Sequence, residues 1–206
     1  MDENGKVTAK AAGTAVITAT SAAGKTAQYK LTVKTPSVKL NASAKTLYVK
    51  GSPATVTLKA TTAGVTGKVT YTSSKPSVVA VAANGKVTAK AAGTAVITAK
   101  CGNYKATCKI TVKKPSVKAS ASAKTVFVGG TSQIKVKKTG VSGKVTYTSS
   151  NKSVAVVSAG GKVTAKKAGT ATITVKCGSY KATCRITVKK AVSYTHLRAH
   201  ETTLHL

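Results

Sequence analysis

Asn84 to Ala99 read NGKVTAKAAGTAVITA, and Asn4 to Ala19 read the same string unchanged. A third version, GGKVTAKKAGTATITV, runs from Gly160 to Val175. In Thr94 to Cys101 the residues Ala95, Ile97, Ala99 and Cys101 alternate with Val96, Thr98 and Lys100; in Cys108 to Lys113 the apolar set Cys108, Ile110 and Val112 alternates with Lys109, Thr111 and Lys113. Successive side chains of an extended backbone point to opposite sides, so a period of two marks strands with one buried face. Half-buried antiparallel strands are expected wherever this pattern recurs.

It recurs on both sides of the quoted stretch. GKVTYTSS occurs at Gly67 to Ser74 and Gly143 to Ser150, and PSVK opens a unit at Pro36 and again at Pro115. Alternation also marks Val56, Leu58 and Ala60, then Val69 and Tyr71, then Ile134 and Val136, with Ser52-Pro53, Asn84-Gly85, Gly129-Gly130 and Gly160-Gly161 as turn signals between the runs. About seven short strands per unit of this length make a β-sandwich. The expected division is residues 1–34 as the C-terminal part of a truncated repeat, 35–113 and 114–190 as complete modules, and 191–206 as a non-native tail. Short proline-bearing joints, Lys34-Thr35-Pro36 and Lys113-Lys114-Pro115, predict beads on a string. Met1 falls inside a repeat, so the protein is expected to extend further toward its N-terminus, because half a module would expose unpaired edges and an apolar face.

Composition narrows function. The chain has 206 residues, 34 Lys+Arg against 3 Asp+Glu, a net charge of +31, and 42% hydrophobic residues, which is enough for a folded scaffold. The acids are Asp2, Glu3 and Glu201, and the histidines are His196, His200 and His205, so Asn4 to Thr195 contains neither a carboxylate nor an imidazole side chain. General acid–base catalysis, glycoside hydrolysis, triads and His or carboxylate metal sites all need those groups. No catalytic residue, metal ligand or cofactor is therefore assigned, and a binding or structural protein is expected. Lysine, threonine or glycine interrupts every apolar run, and none approaches the roughly 18 residues a membrane helix needs.

The order VTYTSSKPSVVAV, then NGKVTAKAAGTAVITA, then a closing ITVK strand resembles the bacterial immunoglobulin-like domain group 2, which is also found in intimin and invasin-like adhesins. The resemblance covers residues 1 to about 190 and repeats in both complete units. Where that family usually carries Trp before Ser-Ser, this chain has Tyr71 and Tyr147, expected to serve as smaller core plugs. The resemblance implies tandem immunoglobulin-like sandwiches in an extracellular or cell-surface bacterial protein, a spacer or adhesion module without catalytic activity and without one particular ligand.

The four cysteines form two equally spaced pairs, Cys101/Cys108 in CGNYKATC and Cys177/Cys184 in CGSYKATC. All have core-facing parity. A hairpin that sets Cys101 opposite Cys108 would also set Ala99 opposite Ile110 and Ile97 opposite Val112, and this register predicts one disulfide per hairpin, which fits an oxidising exterior. Closing a loop of about 8 residues would contribute roughly 2.5 kcal/mol. Zinc is the competing reading, disfavoured by C-x6-C spacing without a nearby histidine, and the compact C-x-x-C redox motif is absent. Ser21 and Tyr29 occupy the corresponding positions of the first, partial unit, so a bridge is optional to the fold.

Nearly all the positive charge is lysine. Lys86 and Lys90, Lys109 and Lys113, and Lys135 and Lys137 fall on outward parity. One reading is a solvated, edge-protecting surface. The other is weak, salt-dependent contact with anionic polymers such as teichoic acids or acidic surface glycans. Specific nucleic-acid reading is disfavoured, because base recognition favours Arg forks and stacking aromatics and the arginines are only Arg185 and Arg198. Tyr104 and Tyr180 sit in hairpin loops, where a structural role is the simpler reading, and the sequons at Asn41 and Asn151 carry little weight in a bacterial chain.

After Lys190 the pattern stops. The segment VSYTHLRAHET resembles the translation of a transposase sequencing adapter, so the His196/His200 spacing is not taken as a metal pair and the tail is expected to have no function. Function is thus expected to be that of a spacer presenting a more distal domain; the alternative is a lysine-rich module that binds anionic polymers itself. An accessory region of a wall-active enzyme is a third setting, with its chemistry outside these residues.

Overall fold

A computed structural model describes Asp2 and residues 4–191. Of the tail, only Ala191 is described, so the expectation for that segment lies outside the described residues. All regular elements among the described residues are strands, as the two-residue period requires. The chain divides into two compact units between Lys114 and Pro115.

The first unit opens with a hairpin of β1 (Gly13–Thr20) and β2 (Thr26–Val33), a two-stranded sheet of its own. Next come β3 (Ser37–Leu40), β4 (Ala44–Tyr48), β5 (Thr55–Thr57), β6 (Ala60–Ala63), β7 (Thr70–Ser73), β8 (Val79–Val81), β9 (Lys86–Ala89), β10 (Gly93–Cys101) and β11 (Tyr104–Lys113). One sheet has the order β4-β11-β10-β7; across from it stand β3-β6 and β5-β9-β8. Between β5 and β6 the strand is interrupted at Leu58-Lys59, where Lys59 N–H donates to Asn41 Oδ1 at 3.1 Å and Leu58 N–H donates to the Gly85 carbonyl at 2.9 Å.

The second unit is built from β12 (Ser116–Ala121), β13 (Thr125–Phe127), β14 (Thr131–Thr139), β15 (Val145–Ser149), β16 (Ala155–Val157), β17 (Lys162–Ala165), β18 (Gly169–Cys177) and β19 (Tyr180–Lys189). Here β14 is continuous, and the two sheets run β12-β14-β17-β16 and β13-β19-β18-β15.

The expected parity holds. Ala95, Ile97, Ala99 and Cys101 of β10 and Cys108, Ile110 and Val112 of β11 are all buried, as are Ala171, Ile173, Val175, Cys177, Cys184, Ile186 and Val188 in the second unit. Fully burying one isoleucine or valine side chain contributes about 1.5–3 kcal/mol, so these two hairpins are the backbone of each core. Tyr71 and Tyr147 are partly buried and pack on the core clusters, and the Tyr71 hydroxyl accepts a hydrogen bond from Ala60 N–H at 3.1 Å.

In each unit one pairing differs from the antiparallel expectation. β4 runs parallel to β11, and β13 runs parallel to β19. After β3 the chain passes from one sheet to the other over Asn41–Ser43 instead of turning back, so β4 lies along β11 in the same direction.

Candidate functional site

The cysteines are the clearest correction. In the hairpin β10–β11, Cys101 faces Tyr104 and Cys108 faces Ile97; in β18–β19, Cys177 faces Tyr180 and Cys184 faces Ile173. Cys101 and Ile97 are four residues apart on one strand, which at strand rise separates the members of each pair by roughly 13 Å. A disulfide needs Cα atoms within about 7 Å. All four cysteines are free and buried, so the expected bridge within each hairpin is not formed.

The turn decides this register. Gly102-Asn103 and Gly178-Ser179 form two-residue loops in which the first residue has φ of 57°, open to glycine at no steric cost. That Gly-first pair is the sequence signal from which the register could have been read.

Each cysteine serves as a small core residue. The Cys101 thiol donates to the Gly67 carbonyl at 3.4 Å, and the Cys177 thiol donates to the Gly143 carbonyl at 3.3 Å. The same contact thus ties the end of the hairpin to the GKVTYTSS segment in both units. Burial pushes the Cys108 thiol above its ordinary range, with the Lys45 ammonium opposing it; a thiol held protonated is a poor nucleophile.

The expected lysines are spread over separate strands. Lys86 lies on β9 and Lys90 just after it, Lys109 and Lys113 lie on β11, and Lys135 and Lys137 lie on β14; all six are exposed. Lys109 and Lys113 share the outer face of their sheet with Lys100 and Lys105, which parity alone did not single out. Lys100 stands directly opposite Lys105, Lys176 opposite Lys181, and Lys118 opposite Lys137. Like charges in facing positions are destabilising, and no carboxylate side chain lies between Asn4 and Thr195 to relieve them. Around these pairs the outer faces carry threonine, including Thr72, Thr98 and Thr107 in one cross-strand row and Thr148, Thr174 and Thr183 in its counterpart.

Tyr104 is 39% exposed, whereas Tyr180 packs on the core of its unit. Both sequon asparagines are engaged locally: Asn41 Nδ2 donates to the Thr57 carbonyl at 3.4 Å, and Asn151 Oδ1 accepts from Ser153 Oγ at 2.6 Å. A surface groove beside Cys184 is lined by Ser120, Lys124, Arg185 and Thr187.

Residues 110–188 match the family model described as Bacterial Ig-like domain (group 2), and residues 67–114 match the model described as Bacterial Ig-like domain. Residues 67–188 are bacterial Ig-like domains. The tandem Ig-like, all-β architecture expected from the repeats is therefore shown. Among solved structures, domains 1-6 of surface layer protein SbsC are 22% identical at a TM-score of 0.50, with 94% of this chain and 37% of that chain covered. At that identity the likeness concerns the fold alone, and these Ig-like domains span 37% of the SbsC structure's length. The crystal structure of SbsC domains 4 and 5 is 26% identical (TM-score 0.45; 75% of this chain, 98% of that chain). The C-terminal 282-residue fragment of intimin, solved with the intimin-binding domain of the translocated intimin receptor, is 19% identical (TM-score 0.33; 75% and 64%). No curated protein matches the chain.

Proposed function

We propose that this chain is a non-catalytic structural module of a bacterial cell-surface or secreted protein, a spacer of repeated Ig-like sandwiches that presents a more distal functional domain. The observation that carries the reading is the duplication itself: the same hairpin, thiol contact and glycine turn are built twice around separate apolar cores. Repetition of a closed module adds length without adding a site, and the membership of residues 67–188 in the bacterial Ig-like domains supports a surface setting. Force spectroscopy on the whole chain tests it. Two unfolding events of similar contour gain, each about 25 nm for some 75 residues at full extension, are expected. Extension without discrete events would overturn the reading.

A second reading is favoured by the facing lysines. Pairs such as Lys100/Lys105 and Lys176/Lys181, flanked by threonine hydroxyls, suit a linear polymer bearing anions and hydroxyl partners, such as a teichoic acid or an acidic glycan. Such contact releases counterions and weakens steeply with salt. Retention on purified wall material that is the same in 50 mM and 500 mM salt would count against it.

A further inference from the structure

Along β11 the outward residues read Lys105, Thr107, Lys109, Thr111 and Lys113, and along β19 they read Lys181, Thr183, Arg185, Thr187 and Lys189. Cation and hydroxyl alternate at a spacing of two residues, roughly 6.6 Å, so the cations recur roughly every 13 Å over a ladder of roughly 26 Å. The neighbouring strand extends the rungs. Lys100 faces Lys105, Thr98 faces Thr107 and Thr94 faces Thr111; Lys176 faces Lys181, Thr174 faces Thr183 and Thr170 faces Thr187. On the other side Thr46 faces Thr111 and Thr125 faces Thr187. The opposite sheets do not match in this way: Lys118 faces Lys137 in the second unit, whereas the corresponding Lys39 of the first faces Thr61. The cations of both ladders are exposed, and at the head of each ladder two of them stand face to face, a cost that a bound anion relieves.

Building on the anionic-polymer reading, we propose that each ladder is a binding track for a linear phosphodiester polymer of polyols, laid along β11 in one unit and along β19 in the other. The shape points to a chain. A small ligand is held in a concave site that buries most of its surface, whereas a long, open row of exposed groups suits an extended polymer. The cations choose the anion: five of the six are lysine, a point charge that suits phosphate, while planar carboxylate recognition favours the arginine fork. Threonine hydroxyls both donate and accept, so those between the cations pair with the hydroxyls of a polyol. A nucleic acid strand carries the same phosphodiester but needs aromatic platforms for its bases. Here no aromatic residue interrupts either ladder, and Tyr48 and Phe127 stand only at the far end, opposite Lys113 and Lys189. The remaining lysines, including Lys86, Lys90, Lys135 and Lys137, lie off the track.

The test measures binding of poly(glycerol phosphate) to the full chain over a range of salt. Lys105→Gln, Lys109→Gln, Lys113→Gln, Lys181→Gln, Arg185→Gln and Lys189→Gln together are expected to weaken binding by about 10-fold or more and to flatten its salt dependence. Lys86→Gln, Lys90→Gln, Lys118→Gln, Lys135→Gln, Lys137→Gln and Lys162→Gln remove the same charge and should cost less than about 2-fold, because salt screens distant charges. Equal loss in the two variants, with the parent chain still binding, overturns the ladder and leaves a general attraction for anionic polymers standing; no salt-dependent binding by the parent overturns both. Thr107→Val with Thr183→Val should weaken binding by about 3-fold at an unchanged salt slope, since a hydroxyl releases no counterion. Unchanged affinity there overturns the alignment along the strand. Amine acetylation of the parent chain reads the same contact without any substitution: the polymer is expected to shield Lys109 and Lys181 but not Lys86 and Lys135, and uniform shielding overturns the ladder. Tighter binding of polygalacturonate or of single-stranded DNA than of poly(glycerol phosphate) at the same salt overturns the choice of polymer.

Discussion

Gly161 lies against the ring of Tyr147 so closely that a Cβ placed on it would stand 2.9 Å from the tyrosine Cζ, and its φ is +81°. Gly85 repeats the relationship with Tyr71 at φ +78°, and there an added Cβ would also overlap the Leu58 carbonyl oxygen. The turn that opens NGKV or GGKV is therefore both a backbone requirement and the seat of the core aromatic. Gly161→Ala should destabilise the second unit by about 2–4 kcal/mol, combining left-handed strain with overpacking. Chemical denaturation checks this. In a Tyr147→Leu background part of the cost should disappear, leaving the backbone strain.

Identical residues should respond differently in different surroundings. Ile97→Ala is expected to cost about 2–5 kcal/mol, since Ile97 is fully buried. Ile17→Ala, at the matching position of the open hairpin, should change the melting of the chain by less than about 0.5 kcal/mol. Equal effects would mean that the hairpin face is already covered.

All four thiols are expected to resist a thiol-specific reagent in the native protein and to react fully in denaturant, with the same count before and after reduction. A lower count without reductant would show a disulfide. Cys101→Ala should cost about 1–3 kcal/mol through the lost contact with the Gly67 carbonyl and the small cavity left behind.

The raised Cys108 titration sets a direction for pH. Below the unfolded thiol's ordinary value of 9.0 both states hold the proton and stability is unaffected; above it the unfolded state ionises first, so stability falls as pH rises through the folded value. Cys108→Ala should flatten the alkaline limb of the stability profile relative to the parent chain. An unchanged limb would remove Cys108 as its cause.

Lys105→Glu converts a repelling pair with Lys100 into an attracting one. The first unit should gain about 0.2–1 kcal/mol. Retention on an anionic polymer should weaken at the same time, with a shallower salt dependence. A gain in stability without any change in retention would separate the surface role from the binding role.

The strand faces were legible because alternation reports them directly: Ile97, Ile110, Ile173 and Ile186 are buried where their parity puts them. The lysine surface was legible only in part. Parity marked Lys109 and Lys113 as outward, but Lys100 and Lys105 became notable through a cross-strand pairing that no single strand displays. The parallel edge strands β4 and β13 were not legible either, because alternation is the same in both directions of a strand.

By itself the sequence determined that this protein is a series of β modules, because duplicated strings with a period of two can bury their apolar sides in no other regular way. Parity left the register open, and the structure decided it. A shift by an even number of residues keeps every side chain on its own face, so core parity could not distinguish a hairpin pairing Cys101 with Cys108 from one pairing Cys101 with Tyr104, four residues away. The two-residue turn at Gly102-Asn103 chose the second, and with it left Cys101 and Cys108 as separate core residues, the first holding a loop, instead of a bridge between strands.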